Sequence, residues 1–184
     1  MMTDPAPQES SHADHEQAAT NVEPLGFAVL TLSDTRTENT DKSGQLIREL
    51  VESAGHRVAR HAIVQDDPET IREQLAAAID DPDVAVVVTN GGTGIAVRDS
   101  AFEVIDGMLD KRLDGFGEIF RMLSFEEIGA AAMLSRAVAG IARGKVLFSL
   151  PGSTKAVRLG MQQLILPQAA HLYYELHKHR EPRS

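Results

Sequence analysis

Residues 84–89 read Val-Ala-Val-Val-Val-Thr, a strand-length run with almost no polar alternation. A strand that is apolar on both faces must be covered on both faces, which calls for helices above and below a largely parallel sheet. Leu25–Leu32, an apolar run ending in Ser33-Asp34, and Arg57–Val64 read as two further strands. Between them Leu46, Ile47, Leu50, Val51 and Ala54 recur at helical spacing, with Gly55 placed to end the helix. Asp67-Pro68-Glu69 combines a capping acid, a first-turn proline and a charge that favours the helix dipole. Ile71, Leu75, Ala78 and Ile79 give that helix its apolar stripe. Strand–helix alternation implies right-handed crossovers.

The second half is less regular. Phe102, Ile105 and Leu109 mark a helix, and Gly115-Phe116-Gly117 is expected to break the chain before another helix through Phe125. Ala130–Leu134 suggests a short small-residue helix. The runs 137–142 and 145–150 flank Arg143-Gly144 and read as a hairpin, which puts one antiparallel strand into the sheet. A helix carrying Val157, Leu159, Leu164 and Ile165 is expected to be interrupted at Pro167, before a last helix to about His179. Phe116, Phe120, Met122 and Phe125 are expected in a core or a subunit interface. The expected fold is a three-layer α/β/α domain with a mostly parallel sheet.

A chain of 184 residues fits one domain, taken as residues 24–180. Residues 1–23 are polar and acidic and are expected to form a disordered tail, with His12 and His15 as solvated members of it. There is no cysteine, which excludes disulfides, thiolate nucleophiles and thiolate metal sites. The net charge of -9 argues against nonspecific nucleic-acid binding. No apolar run approaches the roughly 18 residues of a membrane span. A cytoplasmic location is expected.

In open α/β sheets ligands bind beyond the carboxyl ends of the strands. Three loops qualify: Ser33-Asp34-Thr35-Arg36, Asn90 to Asp99, and Pro151 to Lys155. Gly91-Gly92-Thr93-Gly94 would let backbone N–H groups approach a phosphate, although a tight strand-to-helix turn needs the same residues. Asp99 could cap the helix that follows, or hold Mg²⁺ through hard oxygen donors. Asp66 could share that ion, since Asp67 is available as the cap, or be a surface loop residue. Paired carboxylates beside a phosphate chain suit metal-assisted transfer. Ser153 and Lys155 after Pro151-Gly152 could form an anion site or an ordinary capped helix start. Arg98 could clamp a phosphate or pair with an acid. His56 and His61 are assigned structural roles.

Six stretches in this order resemble the MoaB/MogA family, the molybdopterin adenylyltransferase group. They are Ser33-Asp34-Thr35-Arg36, Asp41-Lys42-Ser43-Gly44, Gly91-Gly92-Thr93-Gly94 with Arg98-Asp99, Gly115-Phe116-Gly117-Glu118, Leu134-Ser135-Arg136-Ala137 and Leu150-Pro151-Gly152-Ser153. The run from Gly115 to Gly140 looks closest to the MoaB branch. The resemblance implies a homo-oligomer, trimer or hexamer, with molybdopterin and ATP as substrates and Mg²⁺ as cofactor. It implies transfer of AMP to the pterin phosphate with release of pyrophosphate. Asp66 and Asp99 would be catalytic and metal-binding. Ser33, Asp34, Gly91, Gly92, Thr93, Gly94, Arg98, Glu118, Pro151, Gly152, Ser153 and Lys155 would bind substrate. The sequence departs from the family at Ala101, where threonine is common, and at Gln65, where proline is common. These departures leave a second reading, a non-catalytic pterin binder or a scaffold for other enzymes of the pathway.

Overall fold

The computed structural model describes residues 23–96 and 99–178. Almost all of the expected tail, and Arg98, lie outside the described residues. A six-stranded sheet carries the molecule. Its strands are β1 (Gly26–Leu32), β2 (Arg57–Val64), β3 (Val86–Gly91), β4 (Lys111–Arg112), β5 (Val138–Ala142) and β6 (Lys145–Leu150), in the order β2-β1-β3-β6-β5-β4. β2, β1, β3 and β6 are mutually parallel. β5 runs against β6, Val138 pairing with Ser149 and Ala142 with Lys145. β5 therefore begins at the sheet edge where the central strands end.

Alternation along the central strands sorts the core into two layers. Phe27, Val29, Val86, Val88, Phe148 and Leu150 face one way. They pack on helices α1 (Lys42–Ser53), α4 (Asp114–Ile128), α5 (Thr154–Gly160) and α6 (Leu166–His177). Ala28, Leu30, Leu32, Val87 and Leu147 face the other way, onto α2 (Pro68–Asp80) and α3 (Ala101–Gly107). This is the three-layer arrangement that the apolar run at Val86 demands.

Helix starts follow local chemistry. Asp41 caps α1 by accepting from Gly44 N, and Asp67 caps α2 by accepting from Thr70 N at 2.9 Å, with Pro68 in the first turn. Among the described residues no helix is long and apolar enough to cross a membrane.

Two expectations change. Gly115-Phe116-Gly117 does not break the chain but lies in the first turn of α4. Glycine is required at 117 because a Cβ there would sit 2.8 Å from the Ala137 carbonyl oxygen. The short small-residue helix expected over Ala130–Leu134 is present as a 3₁₀-helix, Gly129–Leu134. Pro167 does not interrupt its helix, because a π-helical turn over Met161–Ile165 joins α5 to α6 and gives the proline ring room. β4, two polar residues on the far side of β5, was not foreseen. The aromatic cluster divides: Phe116 and Phe120 are buried, with the Phe116 ring centroid 5.2 Å from that of Phe148, whereas Met122 and Phe125 stand 57% and 60% exposed.

Candidate functional site

The loops that leave the carboxyl ends of β1, β2, β3 and β6 meet at one edge. Ser33 N donates to the Val64 carbonyl at 2.8 Å, and the Asp34 carboxylate accepts from Asp66 N at 2.9 Å. Asp34 thus fixes the backbone that carries Asp66. Ser33 Oγ turns inward and accepts from the N–H groups of Thr35 and Arg36.

The glycine loop is built by close approach. Gly91 has φ +97°, and a Cβ on it would lie 2.3 Å from the Leu32 carbonyl oxygen. A Cβ on Gly92, at φ +62°, would lie 2.4 Å from Ala101 Cβ and 3.5 Å from Asp66 Oδ1. One on Gly94 would meet Asp99 Oδ2 at 2.1 Å. The carboxylates of Asp66 and Asp99 therefore flank the same loop, one at each of two glycines. Asp99 does not cap α3: Oδ2 accepts from Ala96 N at 2.9 Å and closes the loop on itself, while the cap position, Ser100, makes no side-chain capping bond. Gly152 approaches from the β6 side, where a Cβ would sit 3.1 Å from Gly91 Cα.

Beneath this edge lies a buried polar network. Thr31 Oγ1 donates to Asp41 Oδ2 at 2.6 Å, and Asn90 Nδ2 donates to Thr31 Oγ1 at 2.9 Å. Burial works against the charge on Asp41. Hydrogen bonds from Thr31 and the Gly44 N–H, the Arg36 charge and Ser43 outweigh it and hold the carboxyl below its ordinary range. Arg36 joins the network to the loops. Its Nη1 donates to Ser43 Oγ, to Asp41 Oδ1 and to Asn90 Oδ1, and its Nη2 donates to the Gly152 carbonyl at 2.7 Å.

Arg136, just before β5, plays the matching part on the other side. Nε donates to the Thr93 carbonyl at 3.1 Å and Nη2 to the Gly94 carbonyl. Its guanidinium also stacks 4.6 Å from the Phe102 ring centroid and pairs with Glu103, whose carboxyl it holds below the ordinary range. Arg136 and Glu118 both line a cavity of about 370 Å³ that also takes in Arg112, Arg121 and Ser135. Glu118 thus shares a cavity with the arginine that holds the glycine loop.

Two expected residues are otherwise engaged. Ser153 Oγ accepts from Ala156 N at 3.2 Å and caps α5. Lys155 is exposed and lines a different cavity, of about 480 Å³, with Arg158, Gln162, Gln163 and Glu127. Pro151 and Gly152 are half-buried at the cleft. Among the described residues no group of three or more His, Asp or Glu side chains could hold a metal ion. Asp66 and Asp99 offer hard oxygen donors that suit Mg²⁺ only if ligand oxygens and water complete the shell, which is the usual state of Mg²⁺ on phosphates.

Arg36 and Asn90 lie within two of the loops that the sequence marks as candidate ligand loops, without a role of their own there, whereas Asp41 and Arg136 lie outside all three. Arg36, Asp41 and Arg136 lie in stretches that carry the family resemblance, and Asn90 ends an apolar strand, which is the signal they offered.

Residues 28–171 match the family described as "Probable molybdopterin binding domain". The chain is 54% identical over 151 residues to Molybdenum cofactor biosynthesis protein B of Bacillus cereus, spanning 82% of this chain and 89% of that protein. A crystal structure of Molybdenum cofactor biosynthesis protein B superposes with a TM-score of 0.83 at 52% identity, covering 85% of this chain and 98% of that one. The tungsten cofactor synthesizing protein MoaB from Pyrococcus furiosus superposes at 0.76 with 40% identity, over 84% and 98% of the two chains. On the match over residues 28–171 and on these identities, the chain belongs to the probable molybdopterin binding domain family, among the MoaB-type proteins.

Proposed function

We propose that this protein acts in molybdenum cofactor biosynthesis, binding molybdopterin and joining its phosphate to AMP from ATP. The observation that supports this most is the flanking of one glycine loop by two carboxylates, Asp66 beside Gly92 and Asp99 beside Gly94, with the Gly152 loop packed on its start.

In the proposed reaction an oxygen of the pterin phosphate attacks the α-phosphorus of ATP. A new P–O–P bond forms, the bond to the β-phosphate oxygen breaks, and pyrophosphate leaves. Both reactants are anions, so holding them together is the main obstacle. Asp66 and Asp99 would hold Mg²⁺, which offsets phosphate charge when bound. Backbone N–H groups of the glycine and Pro-Gly-Ser loops supply oriented dipoles that need no rearrangement as charge shifts. Glu118, with Arg112 and Arg121 nearby, would meet polar groups of the pterin. No side-chain nucleophile is required, which agrees with a chain that lacks cysteine.

The protein would work as a homo-oligomer, trimer or hexamer, in the cytoplasm. Support for assembly comes from the outer face of α4 and the 3₁₀-helix, where Ile119, Met122, Phe125, Ile128, Met133 and Leu134 are all exposed.

The test is pyrophosphate release from ATP–Mg by the purified protein when molybdopterin is added. A second reading is favoured by Ala101, which is fully buried directly under Gly92 and brings no hydroxyl to the loop. On that reading the protein holds the pterin for other enzymes of the pathway without reacting. Pterin binding without pyrophosphate release would select it.

A further inference from the structure

We propose that Arg36 and Arg136 are positioning residues that aim the backbone N–H groups of Ser153, Gly94 and Ile95 at a ligand phosphate. They do so by taking up the carbonyl of each of the same peptide units. The inference rests on the phosphate-ligand reading of the cleft given above.

Peptide units are planar, and the described chain contains no cis bond, so each N–H points opposite to the C=O of its own unit. Arg36 Nη2 holds the Gly152 carbonyl at 2.7 Å, which turns Ser153 N–H away from the guanidinium. Arg136 Nε holds the Thr93 carbonyl at 3.1 Å and Nη2 holds that of Gly94, which turns the N–H groups of Gly94 and Ile95 away from Arg136. Among the described residues none accepts from these three N–H groups.

The electrostatic gain is twofold. A carbonyl oxygen that faced a phosphate would repel it, and here three such oxygens are turned onto cations. A guanidinium on the oxygen also polarises the peptide and strengthens the opposite N–H as a donor. The arginines are themselves held. Arg36 is fixed by Asp41, Ser43 and Asn90, and Arg136 by Glu103 and the face of Phe102. Their charge is largely matched by these partners, so they suit the setting of loop geometry better than direct binding of an anion. The device occurs twice, on two loops whose backbones touch at Gly91 and Gly152.

The test uses the full-length, isotope-labelled protein and inorganic pyrophosphate as probe, read by backbone amide chemical shifts. In the unmodified protein the amides of Gly94, Ile95 and Ser153 should shift on titration. Arg36→Gln should abolish the Ser153 response and keep the other two, and Arg136→Gln should do the reverse. Arg36→Gln should weaken pyrophosphate binding about tenfold, as expected for one misdirected donor to a charged acceptor, and Arg136→Gln, which misdirects two, should weaken it further. Arg36→Lys and Arg136→Lys keep the charge but lose the planar fork, and should show the same selective loss if the glutamine variants fail to fold. Amides that ignore pyrophosphate in the unmodified protein overturn the phosphate-ligand reading and this inference with it. Responses that survive in the variants overturn this inference alone. Uniform loss of all three in either variant also overturns it, since the arginine would then hold the fold and not the aim of one loop.

Discussion

Gly152 rests on Gly91 so closely that a single added methyl would stand 3.1 Å from the Gly91 α-carbon. This contact joins the loop after β6 to the end of β3. The two glycines differ in what they tolerate. Gly152→Ala needs its neighbours to give by only a few tenths of an ångström. It should cost less than about 1 kcal/mol in urea unfolding while weakening pyrophosphate binding several-fold. Gly91→Ala combines φ +97° with a Cβ 2.3 Å from the Leu32 carbonyl oxygen. It should cost about 3 kcal/mol. Equal losses for the two would contradict this reading.

Asp99→Asn separates the proposed metal binding from loop closure. An asparagine oxygen can still accept from Ala96 N, as Asp99 Oδ2 does at 2.9 Å, so the loop should keep its shape. Pyrophosphate release should fall about a hundredfold, in line with the several kcal/mol that metal-borne charge stabilisation supplies. Pterin binding should persist. Unaltered turnover would reduce Asp99 to a loop clasp.

His56 predicts a pH dependence away from the cleft. Its ring packs 5.3 Å from that of Phe27, its Nδ1 accepts from Leu25 N at 3.3 Å, and burial lowers its pKa from the ordinary 6.5. The unfolded chain therefore binds a proton more readily than the folded one. The stability contribution of neutral His56 is full above about 6.5 and is lost as pH falls from there through the folded value. Urea midpoints should decline from pH 7.5 to pH 5, and His56→Phe should flatten that decline. An identical slope in the variant would show that another group is responsible.

Met122 and Phe125 lie on the solvent side of α4, opposite the buried stripe of Phe116, Phe120 and Ser124. Replacing both by glutamate should leave the subunit fold intact, because neither belongs to the core. Light scattering on the eluted protein should then report a monomer in place of the proposed trimer or hexamer of the unmodified chain. Retention of the larger species would move the interface elsewhere.

The legible parts of this fold were those that local chemistry decides. Val86, Val87 and Val88 announce a strand covered on both faces, and Asp67-Pro68 announces a helix start, since in both cases the cause lies within a few residues. Gly117 and Pro167 misled for a related reason. Their usual effect on an isolated segment is to break it, but Gly117 serves a close approach to Ala137 and Pro167 follows a widened turn. β4 could not be read from Lys111-Arg112, because those residues pair only once the edge of β5 is present. At the candidate site the glycines and both aspartates stood out by type. The bonds of Arg36 to Gly152 and of Arg136 to Thr93 did not, because they span 116 and 43 positions of sequence.

The reversed course of β5 has one more effect. Arg136 precedes the strand instead of following it, so its distance from the Thr93 carbonyl depends on the register of β5 against β6, which the hairpin bend at Arg143-Gly144, at the opposite end of the sheet, helps to set. That bend uses two residues with φ of 47° and 81°. A one-residue shift of β5 against β6 would invert which of its side chains face each layer and carry Arg136 off the glycine loop. A surface turn at the far end of the sheet from the glycine loop thereby shares in setting the width of the cleft.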